Sequence, residues 1–427
     1  MFNLTSDQAQ VVQDILTWDA EPYTPENAFA ILIGAAGVGK TFVQKGLAER
    51  FRGRTCYTAP TNKAVRVQRD ALKAEDFTPE VRTIYSLLQL RLEPNGEIRE
   101  LTIPDEIVDL EGYRRVLVDE SSMVNTKLLK YIERTSKEHK LKFLFVLDDK
   151  QINPVNEASI PVLSLKCRRM VLTKVLRHDN QILRLATAIR AQVEKPFPSI
   201  TLESDHNETR TEGVWKSGPT EFLRQILSYA DAGKFQANEA KVIAWRNATV
   251  DMLNAAIRRR LYDDPKPDQW IVGDRVVFAA PAKAQDDSGK FVAATDDEGV
   301  IESLYATKHP YYPDMYCWRV MIQLDDNRLV TSWLLGKEEE VLYQRKLAAI
   351  SAQAKHNGRF WKDFWALKEA FHSVRHAYAI TAHRSQGSTY EVAFVDWRDI
   401  LANPRRNEAF RCLYVACTRP KQLLILN

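Results

Sequence analysis

The stretch "AFAILIGAAGVGKTFVQKGLAER", residues 28–50, constrains the fold more than any other part of the chain. An apolar run from Ala28 to Ile33 leads into Gly34-x4-Gly39-Lys40-Thr41, and a helix-compatible segment follows. Strand, glycine-rich turn and helix in that order are the context in which successive backbone N–H groups converge on phosphate oxygens at a helix N-terminus. The loop Gly34, Ala35, Ala36, Gly37, Val38, Gly39 would supply those amides. Lys40 would reach the β and γ phosphates, and the Thr41 hydroxyl would ligate Mg²⁺. The expected ligand is ATP, and the expected surroundings are an α/β fold with a parallel sheet.

Short apolar runs continue to alternate with helical patterns through the first half. "TCYTAP", "RRVLVDESS" and "LKFLFVLDDKQ" each read as a strand that ends in polar residues. Ligands of open α/β sheets bind beyond the carboxyl ends of the strands, so Asp119, Glu120, Asp148 and Gln151 would converge on the phosphates near Lys40. Asp119 would hold the Mg²⁺, and Glu120, directed differently, would polarise the attacking water. "APTNKA" also lies at a strand end, where Pro60, Thr61 and Asn62 would meet the phosphates of a polymer without reading its bases. "AWRNAT" offers Trp245, Arg246 and Asn247 in the same role, with Trp245 either stacking on a base or packing in a core.

Two stretches interrupt the α/β pattern. "LRLEPNGEIRELTI" holds two alternating runs about Pro94-Asn95-Gly96, a hairpin signal that looks inserted. From about 269 to 345, "WIVGDRVVFAAPAK", "EGVIESLYAT" and "CWRVMIQLDDNRLVTSWLL" read as short alternating strands suited to a small SH3-like barrel. Phe360, Trp361, Phe364, Trp365 and Phe371 then mark one helical face, read as core packing rather than base stacking. His372 and His376 are four apart, but no acidic neighbour on that face supports a metal pair.

Composition excludes more than it selects. A chain of 427 residues, 45% hydrophobic, has material for two to four domains. With 60 Lys plus Arg against 56 Asp plus Glu the net charge is only +4, so a polyanion would have to be held by a local groove. Five scattered cysteines without a Cys-x-x-Cys pair suit a reducing cytosol and argue against zinc. The polar start "MFNLTSDQAQ" lacks a signal core, and apolar runs fall short of the ~20 residues of a membrane span. The expectation is a cytoplasmic protein with no membrane partner.

"GAAGVGKT", "APTNKA", "VDESSM", "LDDKQINPV", "VLR", "TAHRSQGS" and "LYVACTR", in this order, resemble the motif series of the superfamily 1 helicases. The resemblance is specifically to the 5′-to-3′, RecD-like branch and its Dda-like group, and it covers nearly the whole chain. Two positions depart from the pattern: Leu147 stands where Gly is usual, and Tyr85 where His is usual. The resemblance implies an α/β protein with two RecA-like P-loop cores and ATP in the cleft between them. Residues 1–84 and 111–171 would form the first core, with 85–110 as an inserted β-hairpin acting as a wedge. Residues 172–268 and 373–427 would form the second, with 269–372 as its SH3-like β-barrel and helical insertion. Gln8 then resembles the glutamine that reads adenine, and Gln151 the sensor of the γ-phosphate. Arg177 and Arg419 resemble arginines that the second core points into the cleft. His383 and Ser385 resemble strand contacts, and Gln386 and Gly387 lie nearer the nucleotide. The implied activity is that of an ATP-dependent DNA helicase acting, as a monomer, on single-stranded DNA and duplex junctions. An RNA helicase of the same superfamily, or a P-loop switch without strand separation, stays open.

Overall fold

The computed structural model of the chain describes residues 4–51, 53–73, 78–92, 98–100, 108–174, 181–263, 266, 269–285 and 290–427. By compactness they form two units, 1–217 with 385–427, and 218–384.

The first unit opens with helix α1 (Ser6–Ala20), started by a capping box between Thr5 and Gln8. Strand β1 (Phe29–Gly34) and helix α2 (Lys40–Arg50) flank the phosphate loop. There follow β2 (Thr55–Ala59), α3 (Asn62–Leu72), β3 (Glu80–Thr83) and the short α4 (Ile84–Leu87). Strands β4 (Leu90–Leu92) and β5 (Ile98–Glu100) pair antiparallel, Leu92 opposite Ile98. The Pro94-Asn95-Gly96 turn and Leu101 lie outside the described residues. Next come β6 (Arg115–Val118), α5 (Thr126–His139), β7 (Lys142–Leu147), β8 (Arg168–Leu172), α6 (Gln181–Arg190), β9 (Asp205–His206) and β10 (Gly213–Lys216).

The first sheet runs β3-β2-β6-β7-β1-β8, with every pairing parallel. Strands β6 and β7 are buried along their whole length, the mark of a parallel sheet covered on both faces. The edge strands β3 and β8 were not among the strands read from sequence. β8 exposes Arg168, Arg169 and Val171 and buries only Met170 and Leu172, so it lacks the continuous apolar run of a central strand. Beneath the sheet, the C-terminus of α1 is held by strand-end cations. Lys142 Nζ donates to the carbonyls of Trp18 and Glu21 at 2.6 and 2.7 Å, and Arg115 grips the Asp19 carboxylate at 2.6 and 2.8 Å. Burial pulls the Lys142 ammonium below its usual range, and the Asp19 and Glu21 carboxylates oppose that fall.

The second unit holds α7 (Pro219–Asp231), β11 (Ala240–Ala244) and α8 (Asn247–Leu261). Strands β12 (Arg275–Phe278), β13 (Ala282–Lys283), β14 (Phe291–Ala293), β15 (Glu298–His309), β16 (Tyr312–Leu324) and β17 (Leu329–Leu335) follow. Helices α9 (Glu340–His356) and α10 (Trp361–Ala370) lead to β18 (Val374–His376) and β19 (Ala379–Thr381). An antiparallel sheet runs β17-β16-β15-β12-β18, and β11 pairs parallel with β19. Its charges are paired where buried: Arg258 holds Asp274 at 2.9 and 3.0 Å, and Lys241 holds Glu298 at 2.8 Å.

Three expectations for this unit need correction. β15 and β16 are 12 and 13 residues long, not short. Their pairing is interrupted by irregularities at Ile301/Ser303 and Lys308/His309, which break the strict alternation that marks a long strand in sequence. The aromatic face is core only at its end: Phe371 is buried together with Leu367 and Ala370, while Trp361 is 38% exposed and stacks edge-on against Phe364. His372 and His376 do not share a helix. His372 bonds Ser332 Oγ and the Lys283 carbonyl, whereas His376 lies in β18 against the Trp270 ring.

The chain completes the first unit with β20 (Tyr390–Val395), α11 (Trp397–Leu401), α12 (Arg406–Cys417) and β21 (Pro420–Leu426). Here β20, β21 and β10 are parallel neighbours, and β9 adds antiparallel to β10. Helix α12 is buried from Ala409 to Cys417. Among the described residues no helix is long and apolar enough to cross a membrane.

Candidate active site

The phosphate loop leaves the carboxyl end of β1, between strands β7 and β8. Its glycines are required by geometry. Gly37 and Gly39 have φ of 79° and 88°, and a Cβ on Gly34 would fall 2.7 Å from Val38 Cγ2. These are the marks of a backbone cradle that side chains would fill. Lys40 Nζ lies over the loop and donates to the carbonyls of Gly34 and Ala35 at 2.8 and 3.0 Å. Thr41 is exposed in the first turn of α2. Ala35 packs partly against the core and Val38 is buried in it. Gln8, 2% exposed, ties this loop to α1: its Nε2 donates to the Val38 carbonyl at 3.2 Å and its Oε1 accepts from Thr5 N at 3.1 Å. One amide hydrogen and one lone pair of Gln8 are left beyond these two bonds.

Asp119 and Glu120 stand at the carboxyl end of β6, and the backbone separates their directions. Glu120 takes φ 47°, a left-handed conformation unusual for a side chain this size, and Asp119 Oδ1 accepts its N–H at 2.9 Å. Burial and the neighbouring Asp119 push the Glu120 carboxyl above its usual range, while the positive charges of Arg419 and Lys40 oppose that rise. Arg419, 6% exposed, donates from Nε to the Val415 carbonyl, from one terminal nitrogen to the Ser388 carbonyl, and from the other to Thr418 Oγ1, at 2.8, 3.1 and 2.7 Å. Burial lowers its pKa and the Glu120 carboxylate counters that effect. Two guanidinium hydrogens are left beyond those three bonds.

Gln151 follows the end of β7 and meets Gln386 across 235 residues of sequence. Gln386 Nε2 donates to Gln151 Oε1 at 3.0 Å and to Ser122 Oγ at 3.1 Å. Ser122 Oγ in turn lies 3.3 Å from Gln151 Oε1. All three are buried, so a change at any one is felt by the others. Beside them Asp148 is fully buried and accepts from Tyr414, Lys150 N and Arg190. Gly387 has φ 73°, and a Cβ on it would lie 3.8 Å from Ala64 of α3. Sequence reading missed Ser122, Arg190, Arg411 and Tyr414. Ser122 was visible two residues past Glu120 in "VDESSM", but nothing distinguished Tyr414 from a core aromatic.

Arg177 lies outside the described residues. Pro60 is buried, the Thr61 hydroxyl caps α3 by accepting Ala64 N at 3.2 Å, and Asn62 is exposed at the first position of that helix. In the second unit Trp245 is half-buried, and Arg246 and Asn247 are exposed at the start of α8. His383 is half-buried and Ser385 fully buried.

Residues 3–209 match the family described as AAA domain, and residues 376–427 that described as UvrD-like helicase C-terminal domain. The ATP-dependent DNA helicase dda of Enterobacteria phage T4 is 28% identical over 90% of this chain and 91% of its own length. Uncharacterized protein R530 of Acanthamoeba polyphaga mimivirus is 22% identical over 92% of this chain and 94% of its own. Among solved structures, Pif1 helicase from Bacteroides in complex with ADP-AlF3 and ssDNA superposes with a TM-score of 0.54 at 16% identity, covering 100% of this chain and 92% of that one. That likeness extends the α/β fold to two RecA-like domains. Ordered motifs, two matched families and a shared fold agree: the chain is similar to the superfamily 1 helicases and, over nearly its whole length, to the Dda helicase.

Proposed function

We propose that the chain is an ATP-dependent DNA helicase that translocates 5′ to 3′ on single-stranded DNA and unwinds duplex, in replication, recombination or repair. The observation that carries this reading is the bonding of Gln386 to Gln151 and Ser122 beside Glu120 and Arg419. A P-loop switch needs a phosphate loop and its carboxylates, but not glutamine and arginine groups from the far end of the chain. The phage T4 relative, described as an ATP-dependent DNA helicase, supports the same reading.

In this mechanism the loop amides and Lys40 hold the β and γ phosphates of ATP. Thr41 and Asp119 both offer oxygen donors, the set that suits Mg²⁺, which when bound neutralises phosphate charge. Glu120 takes the proton of the attacking water, a task helped by a carboxyl held above its usual range. Arg419, with Arg177 as second arginine, stabilises charge on the transferring phosphoryl group. Gln151 senses that group, and Gln386 carries the signal onward. Pro60, Thr61 and Asn62, and separately Trp245, Arg246, Asn247, His383 and Ser385, form the strand-gripping edges. Residues 1–84 with 111–171 and 172–268 with 373–427 are the two cores. The hairpin of 85–110 is the wedge, and 269–372 holds the SH3-like barrel. The protein works as a cytoplasmic monomer.

The test is ATP turnover without polymer, with single-stranded DNA and with RNA, paired with unwinding of duplexes carrying a 5′ or a 3′ tail. Turnover should rise with DNA, and only the 5′-tailed duplex should open. Tail affinity should drop steeply with salt as counterions are released. Turnover indifferent to DNA would favour the switch, stimulation by RNA alone an RNA helicase, and opening from the 3′ tail the opposite branch.

A further inference from the structure

Helix α12 and its C-terminal end present Arg419, yet the same helix also reaches the phosphate loop directly. Tyr414, 1% exposed, accepts the Ala36 N–H at 3.0 Å and donates its hydroxyl hydrogen to Asp148 Oδ2 at 2.5 Å. The two partners lie 378 and 266 residues away in sequence. A phenylalanine would fill the same volume in a helix buried from Ala409 to Cys417, so the hydroxyl serves the bridge rather than the packing. One turn earlier on α12, Arg411 donates to the carbonyls of Asp149 and Gln151 at 2.9 and 2.6 Å. The helix therefore grips both the loop that holds the phosphates and the segment that bears the γ-phosphate sensor.

We propose that Tyr414 is a positioning residue for ATP hydrolysis: its hydroxyl locks the phosphate loop, Asp148 and α12 in one register, so that Arg419 meets the phosphoryl group only when the loop is correctly set. This rests on the ATPase reading above. Ground-state binding of ATP depends on the other loop amides and Lys40, which Tyr414 does not touch. Delivery of Arg419 depends on the register. Loss of the hydroxyl should then affect the chemical step and spare affinity.

The experiment compares full-length parent, Tyr414→Phe, Asp148→Asn and the double variant in DNA-stimulated ATPase, with thermal unfolding of each. Tyr414→Phe should lower kcat about tenfold and leave the KM for ATP within about twofold. The double variant should be no slower than about twice the slower single variant, because both substitutions cut one bridge. A parent-like kcat in Tyr414→Phe overturns the proposal. So do fully multiplicative losses in the double variant, or a joint loss of kcat, ATP affinity and thermal midpoint, which would mean a purely structural tyrosine. A parent that hydrolyses ATP no faster than Lys40→Ala would instead sink the ATPase reading itself.

Discussion

Removing the Arg419 side chain should separate binding from chemistry in a way that the geometry allows to be worked through. Arg419→Ala deletes three hydrogen bonds to protein acceptors, gross worth roughly 3 kcal/mol, but also relieves the burial of a guanidinium whose charge the site disfavours. The protein should therefore fold with little net change in stability. Catalysis loses two things. A charge-assisted contact made only in the transition state accounts for about 3–4 kcal/mol, or roughly 100- to 1000-fold in kcat. Glu120 also loses one of the two cations that oppose its rise, so its carboxyl titrates at still higher pH. Because a general base acts when deprotonated, the acid limb of the kcat profile should move to higher pH in the variant. Steady-state ATPase at saturating single-stranded DNA, measured from about pH 5.5 to 8.5, reads both effects, and equilibrium titration with a fluorescent nucleotide reads affinity. The reasoning fails if the acid limb stays where the parent has it, or if nucleotide affinity falls while kcat holds.

Lys40→Ala should abolish turnover while the protein stays folded, since the ammonium lies over the loop and outside the apolar sheet; parent-rate hydrolysis by a folded variant would remove the phosphate-loop assignment. Replacing Leu92 to Leu101 with a short Gly-Ser link should leave DNA-stimulated ATPase within about threefold but cut duplex unwinding at least ~10-fold, and unwinding at the parent rate would put the wedge elsewhere. His372, buried against Ser332 and the Lys283 carbonyl, has its pKa lowered by burial to about 4. Its stabilising effect is then complete above the unfolded value of 6.5 and fades as pH falls towards 4, because the unfolded chain takes up the proton first; the full span is roughly 3 kcal/mol. Denaturant titration of parent and His372→Gln should show the variant losing less stability across that window, and identical pH slopes would contradict the burial argument.

Sequence alone determined the elements whose signal is local. The phosphate loop needs glycines at fixed spacing between an apolar strand and a helix, and β1, β2, β6 and β7 are buried on both faces, so each writes itself as an apolar run ending in functional residues. The order of seven motifs carried the family. What sequence could not carry is anything decided by packing across long separations. Edge strands β3 and β8 have one polar side and leave no continuous run; β15 and β16 are long, but irregular pairing blurs their alternation. The aromatic stripe from Phe360 to Phe371 has the period of a core face, yet of its members only Phe371 joins Leu367 and Ala370 in being buried. In the candidate site, Glu120, Lys40 and Gln151 stood out in the sequence because strand ends and glycine loops are where ligands bind. Ser122, Tyr414 and Arg411 were not, because a hydroxyl or guanidinium becomes part of a site only through partners that the fold brings from hundreds of residues away: Gln386 to Ser122, Tyr414 to Ala36 and Asp148, Arg411 to the Gln151 carbonyl. Local chemistry is written in neighbouring residues; the coupling between them is set by tertiary distance alone.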